Sequence, residues 1–347
     1  MPDINYYMVS IDITYDCNFR CLHCYNSSGE HNQDSKRELT DKELYQLAEE
    51  IRDTKAVVAC ICGGEPLLRI DAALKVGEIV TSNGITKVNM VTNGWLMTSE
   101  IAQKIKEAGF TNVQVSLDGA NPETHDWLRN RKGAFHKVLK AIEYLTAAGV
   151  STCISFCPSI MNLSELNGIC SIAEKYGIDL VRVQPLMVMG RASKNLKKYV
   201  LSEFDYYEIK KLIYEQKHSN SAVTIEWGDP IDHMLRYTTI GNGDSISVSV
   251  DPYGDIFISP YIPICIDNIR NHSFTYTWEN SLKGIWKDGY IVSVAKNIVS
   301  PELMELRNIL CRRLGGDDYY INLQTLKEQM SLAEWNRLIN TCLEEIT

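Results

Sequence analysis

The feature that most restricts this chain is a repeated strand signal in which only one face of the strand is apolar. Apolar runs occur at residues 7–14, 56–62, 87–92, 112–117, 151–157, 180–186 and 222–227, with amphipathic stretches between them. Thr40 to Glu43 forms a capping box, and Leu44, Leu47, Ala48 and Ile51 then follow at helical spacing. The segments SEIAQKIKEAG and KVLKAIEYLTAAG end in glycine, as helix C-termini often do. Strand–helix alternation of this kind predicts parallel βαβ units in a sheet or a barrel. Val113, Val115 and Leu117 share one strand face, and Gln114, Ser116 and Asp118 share the other. Val181 and Val183 oppose Arg182 and Gln184; Ile154 and Phe156 oppose Cys153, Ser155 and Cys157; Val223, Ile225 and Trp227 oppose Thr224 and Glu226. A strand held between two helix layers is apolar on both faces. An incomplete, splayed barrel accounts for the difference: helices cover the outside, and the polar inside is a lumen that holds ligands.

The pattern changes after about residue 235. Residues 245–259, SISVSVDPYGDIFIS, read as a β-hairpin around a DPYG turn. Two helical segments follow, SPELMELRNILCRRL and SLAEWNRLINTCLEEI. The division expected is 1–218 for the barrel and 219–347 for a smaller C-terminal α+β extension.

A net charge of −9 argues against a nucleic-acid binder, which carries a basic patch. There is no apolar run of 18 residues, so no membrane span is expected, and no secretory signal opens the chain. The location expected is cytoplasmic. Eleven irregularly spaced cysteines in such a chain read as thiols or metal ligands rather than as a disulfide framework.

Three of them, Cys17, Cys21 and Cys24, stand in CxxxCxxC spacing just past the first strand signal. Zinc and most iron–sulfur sites take four protein ligands. Three thiols are read as scattered cysteines, as a zinc site borrowing a distant ligand such as His23, or as a 4Fe–4S site with one iron left open. An open iron can bind a substrate or cofactor, as the open position of a catalytic zinc does.

With these residues in hand the chain resembles the radical S-adenosylmethionine (SAM) enzymes, whose signature is a CxxxCxxC loop after the first strand. Further matches follow in order: GGEPLL at 63–68, TNG at 92–94, SLDG at 116–119 trailed by THDWLRNRKGAF, and QPLMVMGRA at 184–192. Where the family usually has an aromatic before the third cysteine, this chain has His23, with Tyr25 after it. The resemblance covers roughly residues 8–230.

The resemblance implies an α/β fold, a partial (β/α)6 TIM-type barrel with its site at the C-terminal mouth, which agrees with the lumen above. It implies a 4Fe–4S cluster on Cys17, Cys21 and Cys24, and SAM chelated to the open iron. One electron from the cluster then cleaves SAM to a 5′-deoxyadenosyl radical that abstracts a hydrogen from substrate. It places the SAM ammonium at Gly63, Gly64 and Glu65, and the ribose or methionyl part at Asn93, Ser116 and Asp118. Tyr25 is expected near the adenine, and Arg182 is a candidate for the SAM carboxylate. An external electron donor such as flavodoxin or ferredoxin is implied.

The C-terminal third resembles a SPASM or twitch extension, which in the family binds auxiliary clusters through further cysteines. Only Cys265, Cys311 and Cys342 remain there, isolated in sequence, so an extension without auxiliary clusters is expected. Relatives with such extensions mostly modify ribosomally made peptides. The expected substrate is therefore a precursor peptide, epimerised or cross-linked, with a separate protein to bind its leader. Tailoring of a small molecule such as a tetrapyrrole is the alternative reaction, and a non-catalytic cluster-binding regulator the alternative class. Cys157, at the C-terminal end of the fifth strand, is a candidate hydrogen donor, with Cys265 as its competitor.

Overall fold

The computed structural model describes residues 8–30, 37–54, 56–82, 84–218, 222–239, 243–245, 247–314 and 320–346. Tyr7 of the first expected strand and Ile246 of the expected hairpin lie outside the described residues. Strand β1 (Met8–Asp12) pairs in parallel with β2 (Val58–Cys62), and β2 with β3 (Lys87–Thr92). The parallel series continues through β4 (Asn112–Ser116), β5 (Ser151–Phe156), β6 (Leu180–Val183) and β7 (Thr224–Trp227). Parallel neighbours need a crossover. Helices Asp41–Arg52, Ile70–Thr81, Ser99–Glu107, Ala134–Ala147, Leu166–Lys175 and Glu203–Lys217 supply it. The first begins at Thr40 with the expected capping box and buries Leu44, Leu47, Ala48 and Ile51.

The one-sided strand pattern has the cause inferred for it. Val9, Ile11, Val88, Met90, Val113, Val115, Ile154, Phe156, Val181 and Val183 are fully buried under the helices. Their neighbours Ser10, Asn89, Gln114, Ser155 and Arg182 face the other way and stay half-buried. The sheet therefore keeps a polar inner face, as a partial barrel does.

The C-terminal third is joined to this sheet. β8 (Ser247–Val250) runs parallel to β1 on the side away from β2, and β9 (Asp255–Phe257) returns antiparallel to β8. This is the hairpin expected around Asp251–Gly254. β10 (Ile264–Cys265) and β12 (Ile321–Asn322) form a separate two-stranded ladder, while β11 (Asp267–Asn268) pairs with β9. A ten-stranded sheet results, in the order β11-β9-β8-β1-β2-β3-β4-β5-β6-β7. The division expected after residue 218 leaves β7 and β8 on the far side, yet the sheet runs through both. Periodicity marks a strand but not the edge it will pair with.

The docking of β8 on β1 is secured by Asp251. Its Oδ1 accepts from the backbone N–H groups of Tyr253 and Asp255, both at 2.9 Å, and its Oδ2 accepts from the Tyr15 hydroxyl at 2.9 Å. Asp251 is buried, so removing its carboxylate strands these donors away from water. Asp251→Ala should lower stability by about 2–4 kcal/mol in urea unfolding, since each buried donor left unpaired costs roughly 1–3 kcal/mol. A loss under about 0.5 kcal/mol would show that the hairpin is held by other contacts.

Candidate active site

The loop after β1 carries the three thiols, and its base is fastened to the end of β2. The Gly64 N–H donates to Thr14 O at 2.6 Å, and the Glu65 N–H donates to Asp16 O at 2.8 Å. No side chain fits between these backbones. A Cβ on Gly63, whose φ is +131°, would lie 2.5 Å from Thr14 O, and one on Gly64 would lie 2.1 Å from Asp16 O. The close approach these glycines permit is that of the thiol loop. The far side of the loop is clamped by the GRA segment. Arg191 donates to Cys21 O and Ser28 O, both at 2.9 Å, and its N–H donates to Cys24 O at 2.9 Å.

So held, Cys17, Cys21 and Cys24 line one cavity of about 310 Å³, within the range of small-molecule sites. Burial pushes the Cys17 thiol up and the Cys21 thiol up to about 12. These groups hold their protons until a metal displaces them. Among the described residues, no three Cys, His, Asp or Glu side chains converge on a point that could hold one metal ion. Three soft thiols around an open space fit a cluster several atoms across better than a tetrahedral zinc. His23, the alternative fourth ligand, turns instead toward Asp118, with Nε2 at 3.5 Å from Oδ2.

The strand ends complete the wall. Gly63, Gly64 and Glu65 after β2, Asn93 after β3, Ser116 and Asp118 at the end of β4, Cys157 after β5, and Tyr25 of the loop all line the cavity. Glu65 is buried and ties two loops together: it accepts from the Thr92 hydroxyl at 2.6 Å, the Asn93 N–H at 2.8 Å and the Leu67 N–H at 3.2 Å. Burial pushes its carboxyl up despite these donors. Asn93 in turn donates to Asn18 Oδ1 at 2.8 Å, reaching back to the thiol loop. Tyr25 is 39% exposed, and Asp12, Tyr261 and Tyr320 lie around its hydroxyl end.

Asp118 has no exposed surface. Its Oδ1 accepts from the Cys157 N–H at 2.9 Å, and its Oδ2 pairs with Arg129 Nη2 at 2.5 Å. Burial alone pushes the Asp118 carboxyl up; Arg129, His23, His125 and the Cys157 N–H outweigh it and hold the carboxyl below its usual range. Its Oδ2 makes this ion pair but accepts no hydrogen bond.

Two expected residues are not brought to the cavity. Arg182 lies beside Gly228, with Cys153 and Tyr261 in its surroundings, and does not line the wall. Cys265 is buried on β10, outside the lining. Cys311 and Cys342 are buried in helices Glu305–Arg313 and Leu332–Glu344. Cys157 is half-buried, and burial pushes its pKa far up, so its S–H is retained.

Other lining residues had no role assigned from the sequence, Arg129, Arg191 and Tyr261 among them. Arg129 stands in the quoted THDWLRNR run without having been singled out. Arg191 is in the GRA motif. Tyr261 comes from the extension, where its hydroxyl accepts from Gln184 Nε2 at 2.6 Å, and no local signal marks it.

Burial lowers His125 to about 4, and its Nδ1 accepts from the Asp118 N–H at 3.1 Å, which requires the neutral ring. The unfolded chain protonates this histidine near pH 6.5 and the folded chain refuses the proton until about pH 4. Stability is therefore lost as pH falls through that window, by at most about 1.4 kcal/mol per pH unit. His125→Asn should reduce the slope of unfolding free energy against pH by about that amount between pH 6.5 and 4.5. Equal slopes would mean that His125 titrates as a solvent-exposed ring.

Comparison with known proteins accords with this geometry. A sequence profile described as the Radical SAM superfamily matches residues 11–165. The chain is 30% identical over 294 residues to an AdoMet-dependent heme synthase of Methanosarcina barkeri, covering 79% of this chain and 82% of that protein. It is 33% identical over 265 residues to the mycofactocin maturase MftC of Mycolicibacterium smegmatis, covering 72% and 63% of the two chains. Among solved structures, native anSMEcpe with bound AdoMet and Cp18Cys peptide superposes with a TM-score of 0.63 at 18% identity, covering 98% of this chain and 99% of that one. At that identity the likeness is one of fold. Among the described residues no helix is long and apolar enough to cross a membrane.

Proposed function

The chain belongs to the radical SAM superfamily, and on that premise we propose that it takes a hydrogen atom from a peptide and returns one from Cys157. A 4Fe–4S cluster and SAM are the cofactors characteristic of the family. Cys17, Cys21 and Cys24 would hold the cluster as thiolates. Bound beside it, SAM supplies a 5′-deoxyadenosyl radical on one-electron cleavage, the electron coming from an external low-potential carrier such as flavodoxin or ferredoxin. Glu65, Asn93 and Ser116 present polar groups to the cofactor, and the buried lining keeps water from the reacting atoms. Cys157 gives its S–H hydrogen to a carbon radical on the substrate, and one electron and one proton from the external reductant restore the thiol.

The observation that carries this reading is the placement of Cys157 on the wall of the cavity that the three loop thiols share, in an environment that keeps its proton on. The peptide is supported by the resemblance to the mycofactocin maturase and by the fold shared with a structure that holds a peptide. Tetrapyrrole tailoring is the second reading, favoured by the heme synthase relative.

Anaerobically reconstituted protein should carry about four irons per chain. Changing Cys17, Cys21 and Cys24 together to Ala should remove nearly all of them by iron analysis; retention of a full complement would place the cluster elsewhere. Incubation with SAM, reductant and short peptides encoded beside the gene, in D2O, should give a product with one deuterium and an inverted centre. Loss of two hydrogens instead would indicate a cross-link, and turnover of a porphyrin precursor alone would favour the second reading. Cys157→Ala should still release 5′-deoxyadenosine while product falls at least tenfold. Undiminished product from that variant would end the donor assignment.

A further inference from the structure

Arg129 is the last residue of helix Pro122–Arg129, and that helix end is pinned beneath the thiol loop. The Leu22 N–H donates to Leu128 O at 2.9 Å, and Asn130 turns the chain away in the left-handed conformation, with φ of 50°. The guanidinium is thereby carried under the loop with its side chain only 12% exposed. It faces two partners. Nη1 reaches Cys21 Sγ at 3.8 Å, and Nη2 reaches Asp118 Oδ2 at 2.5 Å. Its Nε is buried with no acceptor.

Asp118 only partly cancels the cation as seen from the sulfur. Arg129 is the partner in contact with Cys21, while Asp118 stands behind it. An N–H aimed at a ligating sulfur, and a positive charge beside it, both favour the form of an iron–sulfur centre that carries the extra electron. The attraction is strong because this pair lies in a dry, weakly polarisable setting.

We infer that Arg129 is a positioning residue that acts through Cys21 to raise the reduction potential of the cluster, and that Asp118 restrains it. This rests on the reading that Cys17, Cys21 and Cys24 hold that cluster. Removing the guanidinium removes both the hydrogen bond and the charge, so reduction becomes harder. Neutralising Asp118 leaves the cation unopposed, so reduction becomes easier. A residue that merely supported the loop would not move the potential in opposite directions.

The test uses full-length reconstituted protein without SAM, titrated with a low-potential reductant and followed by electron paramagnetic resonance. Arg129→Met should shift the midpoint to a more negative value, and Asp118→Asn to a more positive one, at iron content equal to that of the unaltered chain. Unchanged midpoints in both, or shifts of the same sign, would overturn the inference, as would a pure loss of SAM binding in Arg129→Met at unaltered potential. Should Arg129→Met fail to take up iron, Asp118→Asn decides: a positive shift supports the inference, and no shift or a negative one overturns it. Absence of a cluster in the unaltered chain would show in the iron analysis and would bring down the ligand assignment, and this inference with it.

Discussion

The site depends on a backbone contact that excludes side chains. Thr14 to Asp16 lie so close to Gly63 and Gly64 that a single Cβ at either glycine would strike a carbonyl oxygen. Two short hydrogen bonds across this contact fix where the thiol loop leaves the barrel. Everything at the mouth is referenced to that point. Glu65, next in sequence, passes the registration to β3 through Thr92 and Asn93, and Asn93 returns it to Asn18 in the loop. On the other side, Asp118 joins the ends of β4 and β5 through the Cys157 N–H. The polar residues of the mouth therefore act twice, as struts between successive strand ends and as the lining of the cavity they enclose. This is why motifs at separate strand ends work as a unit.

A second constraint is electrostatic. The loop buries thiols, a carboxylate, a guanidinium and two imidazoles in a small volume, and desolvation penalises every charge among them. The fold answers by keeping only charges that are paired. Asp118 and Arg129 are ionised against each other, while His23 and His125 stay neutral and the Cys17 and Cys21 thiols keep their protons. Breaking such a buried pair is costly because one charge is left without a partner. The arrangement also leaves Cys17 and Cys21 ready to exchange protons for metal, with a cation already in contact with Cys21.

Much of the architecture was legible from periodicity. The strand at 87–92 is found at those limits, and β1, β2 and β4 to β9 lie within their expected runs, while β10, β11 and β12 had no expected counterpart. The capping box at Thr40, the DPYG hairpin and the two C-terminal helical segments are also found. These are local properties, written in residues a few positions apart, and the alternation of polar and apolar faces already required an inner polar surface. The CxxxCxxC spacing and the motifs at successive strand ends likewise marked most of the cavity wall, because strand ends in a parallel barrel converge on one mouth.

What the chain's order could not reveal was partnership over distance. The edge that β8 would pair with was not written in its own residues; in the structure it is β1. Arg182 shares a strand face with Gln184 yet does not line the wall; the cations that do include Arg129, whose contact with Cys21 spans 108 residues. Tyr261 reaches the wall from the extension, 77 residues beyond its partner Gln184. The sequence by itself determined the elements, their inner and outer faces and the order of the strand-end motifs, since each follows from the chemistry of near neighbours. Only the tertiary structure decided which edges pair, which charges meet and which thiols face the cavity. Those outcomes depend on how distant surfaces compete to be buried together.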